Sequence, residues 1–166
     1  MIVLFLTSSL FLLSSCGFHP VYGVNKYTAT GVEEHLSQIE IAGIPDREGQ
    51  FLRNALIDRF YRTGRPAHPH YTLSVTPVAE STRDLDITID SDTTRGQLAL
   101  KTTMQLIDKK TGQTILKRNL RSIASYNIID SEFANRVSEA NTRENALNDL
   151  ARQIEEQLAL HFKRSA

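Results

Sequence analysis

The chain has one cysteine and no net charge. The cysteine is Cys16, and 19 basic residues balance 19 acidic residues. A neutral chain has no overall field that would hold it on nucleic acid or on an anionic membrane, so any recognition by charge must be local. The 166 residues contain no internal repeat or low-complexity tract, and 40% of them are hydrophobic. We therefore expect one folded domain of ordinary size.

Sequence signatures of catalysis are also missing. We find no Gly-rich phosphate loop, no Gly-x-Ser-x-Gly segment and no His-Glu-x-x-His segment. His68 and His70 stand close together, but without a third ligand nearby they favour a surface loop before a strand over a metal site. We predict that the protein is not an enzyme and that it needs no metal and no cofactor.

The stretch 80–97 is polar and acidic. Its aspartates resemble the start of a calcium loop, and they are Asp84, Asp86, Asp90 and Asp92. The spacing lacks the glycine and the final glutamate of an EF-hand, and Arg95 stands where the bidentate acid is needed. A polar strand and loop that reach into a polar partner surface are the better interpretation of this stretch.

No charged side chain precedes Lys26. Residues 1–13 form an apolar run that would span roughly 20 Å as a helix, which is short of the ~30 Å of hydrocarbon in a bilayer. A short apolar run that ends in small residues is typical of a secretory signal. The positively charged start of such a signal is missing, which leaves open a start upstream of Met1. We predict a signal peptide over residues 1–15 rather than a buried helix of the domain.

Cys16 ends this apolar segment. A lone cysteine in an exported protein is a free thiol, an intermolecular bridge or a modified thiol. Leu13-Ser14-Ser15-Cys16 matches the lipobox of bacterial lipoproteins, whose cysteine receives three acyl chains. At about 0.8 kcal/mol per buried methylene, three chains anchor a protein practically permanently. We predict lipidation of Cys16, and the following Gly17 favours delivery to the outer membrane.

Residues beyond Cys16 divide into a tether and a domain. Glycine, proline, asparagine and threonine are frequent in residues 16–35, which predicts an extended tether with turns. Hydrophobic periodicity then predicts a single domain over residues 36–166. Its first elements are a strand over residues 36–44 and a helix over residues 47–63 with Asp46 as its N-cap.

In the rest of the domain, alternating apolar and polar residues predict strands, and helical spacing of apolar residues predicts a final helix. Strands are predicted around HYTLSV, DLDITID, QLALKTTMQLI and TILKRNLRSIASYNI, and the last two form a hairpin through DKKTGQ. A final helix, capped by Asp130 or Ser131, carries an apolar stripe through Leu147, Leu150 and Ile154. The fold class predicted is α+β, a two-layer sandwich with two helices on one face of a mixed four-stranded sheet (βαβββα).

Several sequence segments resemble those of the lipopolysaccharide (LPS) assembly lipoprotein family LptE, most closely its alphaproteobacterial members. They are the CGFHPVYG start, the strand-helix-strand opening, Thr94-Arg95 at the start of a long strand, the LIDKKTGQTIL hairpin and SYNIIDSEFA before the last helix. The likeness covers nearly the whole chain after the signal, and none of its motifs is catalytic.

The resemblance implies a function and partners. Members of that family sit in the barrel of the outer-membrane LPS translocon, the protein LptD, where they act as a plug, assist barrel assembly and bind LPS. The resemblance therefore implies that LptD and LPS are partners, with contact to the outer membrane through the lipid anchor and no contact with nucleic acid. The alternative is a lipid-anchored periplasmic accessory protein of another envelope transport system.

The predicted hairpin is the locally basic part of this neutral chain. Its cations are Arg95, Lys101, Lys109, Lys110, Lys117, Arg118 and Arg121. The phosphates of LPS require such cations, and arginine gives bidentate contacts. Strand alternation turns Lys101 away from the apolar side chains of its strand, and Lys117 and Arg121 share one face of the next strand. We predict an LPS-binding site at Arg95, Lys101, Lys117 and Arg121, and the alternative is a solvated charged face.

Overall fold

The computed structural model describes residues 29–62, 64–87 and 93–165. In chain order the elements are α1 (Ala29–Ser37), β1 (Ile39–Ile41), α2 (Asp46–Phe60), β2 (Tyr71–Val75), β3 (Ala79–Ile87), β4 (Thr93–Asp108), β5 (Thr114–Asn127) and α3 (Glu132–Ser165). The predicted signal peptide, Cys16 and the predicted tether up to residue 28 lie outside the described residues.

Strand β4 is the centre of the sheet. β5 pairs with it in antiparallel fashion along one edge, while β2 and β3 lie end to end along the other edge. Pro77 lies in the break between β2 and β3. Because residue 77 is not part of the strand ladder, the missing N–H of proline does not cost a hydrogen bond between strands. β1 joins β2 in parallel after the crossover through α2. The sheet is therefore four strands wide at one end and three strands wide at the other.

The predicted mixed α+β sandwich is confirmed, with five strands and three helices in place of four and two. Each of the five segments predicted as strands overlaps a strand, which is one more than the predicted four-stranded sheet holds. β1, β2, β4 and β5 form one cross-section, and β3 over residues 79–87 is the fifth strand. The core lies between the helices and one face of the sheet. Its fully buried side chains are Ile39, Ile44, Leu52, Leu56, Leu73, Leu98, Leu100, Met104, Leu106, Leu150, Ile154 and Leu158. Burial of each of these side chains stabilises the fold by roughly 1.5–3 kcal/mol. This burial favours the arrangement in which the apolar face of the sheet packs against the helices.

The tether prediction is wrong for residues 29–35, which belong to α1. Val32 and Leu36 are one helical turn apart, and Leu36 is buried in the core. The His35 ring stacks on Phe162 of α3 with 4.8 Å between the ring centroids. These contacts outweigh the turn-forming composition of the segment, because tertiary packing supplies most of the stability of a short helix.

Other predicted boundaries also shift. The first strand occupies only residues 39–41, and the helix predicted over 47–63 is α2, Asp46–Phe60. Asp46 is not the N-cap: Pro45 holds that position in extended conformation, and no side chain caps the helix. For the last helix, Ser131 is one of the two predicted caps, and the Ala134 N–H donates to its hydroxyl oxygen at 3.4 Å. Of the helices in the described ranges, none has the length and apolar character needed to cross a membrane.

Candidate functional site

The face of the sheet opposite the helices carries the predicted basic side chains. Buried residues of β4 such as Leu98, Leu100 and Met104 point to the helices, so their odd-numbered neighbours point the other way. The register of β5 continues this alternation. All four predicted LPS-binding residues lie on this uncovered face and are exposed.

Lys101 and Arg121, here called the basic pair, lie directly opposite each other on β4 and β5. Opposed residues in antiparallel strands have Cβ atoms about 5 Å apart, and two like charges in this arrangement destabilise the sheet. Neither side chain makes an ion pair with any described residue. The pair is therefore a local positive centre that lacks a protein counter-charge in the described part of the chain.

A depression of about 430 Å³ adjoins the basic pair. It forms where β2 ends and β3 begins, and it is lined by Thr76, Pro77, Ala79, Lys101, Thr102, Thr103, Asn119, Leu120 and Arg121. Its volume lies within the range of small-ligand sites, although it is an open depression rather than a closed cavity. Cations, hydroxyls and an amide together are groups that bind anionic oxygen atoms.

Hydrogen bonds fix the walls of this depression. The Thr76 hydroxyl oxygen accepts the Thr103 N–H at 2.9 Å, and the Thr102 hydroxyl donates to the Thr76 carbonyl at 2.8 Å. Across the β4–β5 pair, the Thr103 hydroxyl donates to the Asn119 side-chain carbonyl at 2.9 Å. Thr76 thus replaces the missing ladder bonds at the strand break, so the depression is a rigid part of the sheet.

Lys117 and Arg95 flank the basic pair at a distance. Lys117 is four residues from Arg121 along β5, which is about 13 Å of strand. Arg95 is six residues from Lys101 along β4, or about 20 Å. The structure therefore brings two of the four predicted residues together and spreads the other two along the same face.

Arg83 is a further cation on this face that the sequence analysis missed. It lies on β3 opposite Gln97 of β4, with the odd-numbered alternation of the uncovered face. Residues 79–85 are all exposed, so this part of β3 shows no hydrophobic alternation. Only the pairing of the stretch ESTRD with β4 could have revealed Arg83, and pairing is not a local property of sequence.

Other cations of the hairpin are engaged elsewhere. Lys109 forms an ion pair with Glu40 of β1, with 2.7 Å between Nζ and Oε2. Arg118 donates from Nη1 to the Lys117 carbonyl at 2.9 Å. Burial lowers the pKa of His161 on α3, and the charges of Arg164 and Arg118 lower it further. The charge of Arg118 thus acts on a side chain of α3.

Carboxylates and histidines do not gather into a metal site in the part of the chain that the structure describes. There, no three side chains of His, Cys, Asp or Glu come close enough to hold an ion. Asp90 and Asp92 of the calcium-like stretch lie outside the described residues. The described residues of the uncovered face offer cations and hydroxyls, which bind anions.

Comparison with protein families decides the identity of the domain. A family model described as LptE, lipopolysaccharide-assembly, matches residues 36–161, which is more than half of the chain. The chain belongs to the LptE family. This membership gives it a role in LPS assembly, which is not an enzymatic function, and it confirms the resemblance stated above. A comparison with functionally curated proteins gives no match.

Solved structures share the LptE domain fold. A Caulobacter crescentus CB15 protein is 27% identical, with a TM-score of 0.62 over 81% of this chain and 97% of that chain. A minor lipoprotein from Acinetobacter baumannii is 21% identical, with a TM-score of 0.61 over 75% of this chain and 92% of that one. Rare lipoprotein B from Shewanella oneidensis is 9% identical, with a TM-score of 0.58 over 73% of this chain and 92% of that one. The last two likenesses support the fold alone.

Proposed function

We propose that this LptE-family protein is an outer-membrane lipoprotein that plugs the LPS translocon barrel LptD, helps to assemble it, and binds LPS on the uncovered face of its sheet. Family membership supports the part in LPS assembly. The basic pair is the observation that carries the LPS-binding part. Two opposed cations without a protein partner cost stability, and a phosphate of LPS would neutralise both.

Binding of LPS is tested by removing the basic pair. Lys101→Ser combined with Arg121→Ser should weaken binding to LPS micelles by at least about tenfold, because two charge-assisted contacts are lost. Lys163→Ser combined with Arg164→Ser removes the same charge from the end of α3 and is the matched control. Equal affinity of the two double variants for LPS would contradict the proposed site.

The lipid anchor is tested at Cys16. Since the lipobox requires the thiolate, Cys16→Ala should abolish acylation and leave uncleaved precursor in the cell. Mass spectrometry of the N-terminus measures both effects. An acylated or normally cleaved Cys16→Ala protein would show that residues 13–16 are not a lipobox.

The role as a plug is tested by purification in mild detergent. A tagged full-length protein extracted from its own outer membrane should bring down the LptD barrel in a fixed stoichiometric ratio. If no barrel protein accompanies it under conditions that keep the barrel folded, the proposed plug role is wrong, whatever the outcome with LPS.

A further inference from the structure

An exposed line of apolar side chains lies at the start of α3. Residues 132–141 of this helix contain no buried side chain. Phe133 is 78% exposed, Val137 is 44% exposed and Ile129, just before the helix, is 57% exposed. A spacing of four residues places Phe133 and Val137 one turn apart on one side of the helix. These three residues are called the apolar tip below.

Local hydrogen bonds favour one conformation of the apolar tip. The Asn135 side chain accepts the Ile129 N–H at 2.9 Å and donates to the Ile129 carbonyl at 2.7 Å. Six residues beyond Val137, Arg143 binds both carboxylate oxygens of Glu80 on β3, at 2.7 and 2.8 Å. It also donates to Glu139 at 2.7 Å. These contacts favour the helical conformation of the segment before binding, and a binding conformation that is already populated lowers the entropic cost of binding.

Charge separates this end of the molecule from the rest. Among the described residues, 79–87, 93–97 and 123–145 form the β3–β4 and β5–α3 ends, and they contain seven acidic and four basic residues. The other described residues include ten acidic and fourteen basic ones. Asp130 and Glu132 stand beside the apolar tip in sequence. An anionic lipid surface would be repelled by this end, whereas a protein surface with basic side chains would be attracted.

From the exposure, the local hydrogen bonds and the charge, we infer that the apolar tip docks into an apolar pocket edged by basic side chains on a partner protein. This inference rests on the proposed function, in which that partner is the LptD barrel. The uncovered face and the apolar tip then have different ligands: the basic pair faces the anionic lipid, and the acidic, apolar tip faces protein.

The test compares binding of full-length variants to detergent-solubilised LptD from the same organism. Phe133→Ser combined with Val137→Ser should weaken binding by at least about tenfold, because exposed aromatic residues at interfaces are frequent hot spots. Ile115→Ser combined with Ile123→Ser removes two exposed apolar residues from β5 and is the matched control. Glu132→Lys should also weaken binding, since the proposed pocket edge is basic. Binding to LPS micelles is measured in parallel, and thermal unfolding checks that every variant is folded.

The outcomes separate this inference from the proposed function. If the unmodified protein binds LptD and the Phe133/Val137 double variant binds equally well, the tip is not the docking surface and the plug role stands. If the unmodified protein does not bind LptD, the plug role and the inference both fail. Equal loss in the Ile115/Ile123 control, tighter binding by Glu132→Lys, or loss of LPS binding by the tip variant would each overturn the inference.

Discussion

Tyr61 closes the free edge of the shortest strand. Its hydroxyl donates to the Ile39 carbonyl at 2.8 Å and accepts the Ile41 N–H at 3.1 Å. These two groups face away from β2, and without Tyr61 they would lack a partner in the described structure. The Tyr61 side chain thus supplies hydrogen bonds that a neighbouring strand would otherwise make to β1, which has only three residues.

Tyr61→Phe should lower the free energy of unfolding by about 1–2 kcal/mol, because a partly buried donor and acceptor lose their partner. Urea unfolding followed by circular dichroism measures this loss. Tyr71→Phe is the matched control, since the Tyr71 ring packs on Phe162 but its hydroxyl makes no hydrogen bond with a described residue. A loss as large in Tyr71→Phe would show that the cost comes from removing a tyrosine hydroxyl in general, and not from the edge contact of Tyr61.

His161 makes stability depend on pH. Burial lowers its pKa below the ordinary value of 6.5, and Arg164 and Arg118 lower it further. The unfolded chain therefore binds a proton at a higher pH than the folded protein does. Stability supplied by the neutral imidazole is present above about pH 6.5 and is lost as the pH falls through that value toward the lowered pKa.

Chemical denaturation from about pH 7.5 to about pH 5.5 should therefore show a fall in the free energy of unfolding that is smaller in His161→Gln. His68→Gln, in the exposed loop before β2, controls for the loss of a histidine. A pH dependence that His161→Gln leaves unchanged would assign the effect to other groups. The pKa of Asp149 does not interfere: burial raises it, but hydrogen bonds from Arg152, Ser122 and Gln153 bring it below 3.8, so Asp149 acts only at lower pH.

Strands β4 and β5 are joined by a close contact between a glycine and an aromatic ring. Gly96 pairs with Tyr126, and the Tyr126 ring lies over the glycine. A Cβ atom at residue 96 would stand 2.5 Å from the ring carbon Cζ, so any other residue must displace the ring. This covering of a strand glycine by a cross-strand aromatic ring supports the end of the sheet that has no β1 or β2.

Gly96→Ala should lower the free energy of unfolding by about 1–3 kcal/mol, through the displacement of Tyr126. Gly43→Ala is the control, because nothing lies within 4 Å of a Cβ atom there. In a Tyr126→Ala background the cost of Gly96→Ala should fall to less than about 0.5 kcal/mol. An unchanged cost in that background would point to the backbone of residue 96 instead of the ring.

Local patterns predicted the elements that bury an apolar face. Alternation in β4 and the stripe through Leu150 and Ile154 are such patterns, and the structure contains both elements. β3 extends to residue 79 without any apolar alternation, and α1 depends on contacts with α3 far along the chain. Neither of these features has a local signal, which is why sequence analysis missed them.

The sequence predicts the part of the candidate site that depends on local patterns, and not the part that depends on strand pairing. Which face Lys101 and Arg121 occupy follows from a period of two residues within each strand. That they stand opposite each other follows from the β4–β5 register. The depression beside them also requires β2 and β3 to share one edge of β4, with the break at Pro77. Such pairing of distant segments is settled by the packing of the whole sheet.

The molecule has a well-packed end and a thinly packed end. Helices α1, α2 and the second half of α3 cover the four-stranded part of the sheet, and the buried apolar residues of α3 begin at Ala146. Toward the other end only β3, β4 and β5 remain, and there the ion pair between Arg143 and Glu80 joins α3 to β3. Arg143 also pairs with Glu139 within α3 itself. Local stability should follow this difference in buried apolar surface.

Hydrogen exchange measures that difference directly. Amides of residues 132–141 should exchange at least about 100-fold faster than amides of residues 146–162, because opening the first turns of α3 exposes no buried side chain. Glu80→Gln should speed exchange in residues 132–141 further and leave residues 146–162 unchanged, since it weakens only the Arg143 contact. Glu132→Gln is the matched control: its ion pair with Arg136 is highly exposed and contributes little. Uniform exchange along α3 would mean that the thinly packed end is stabilised by something other than these contacts.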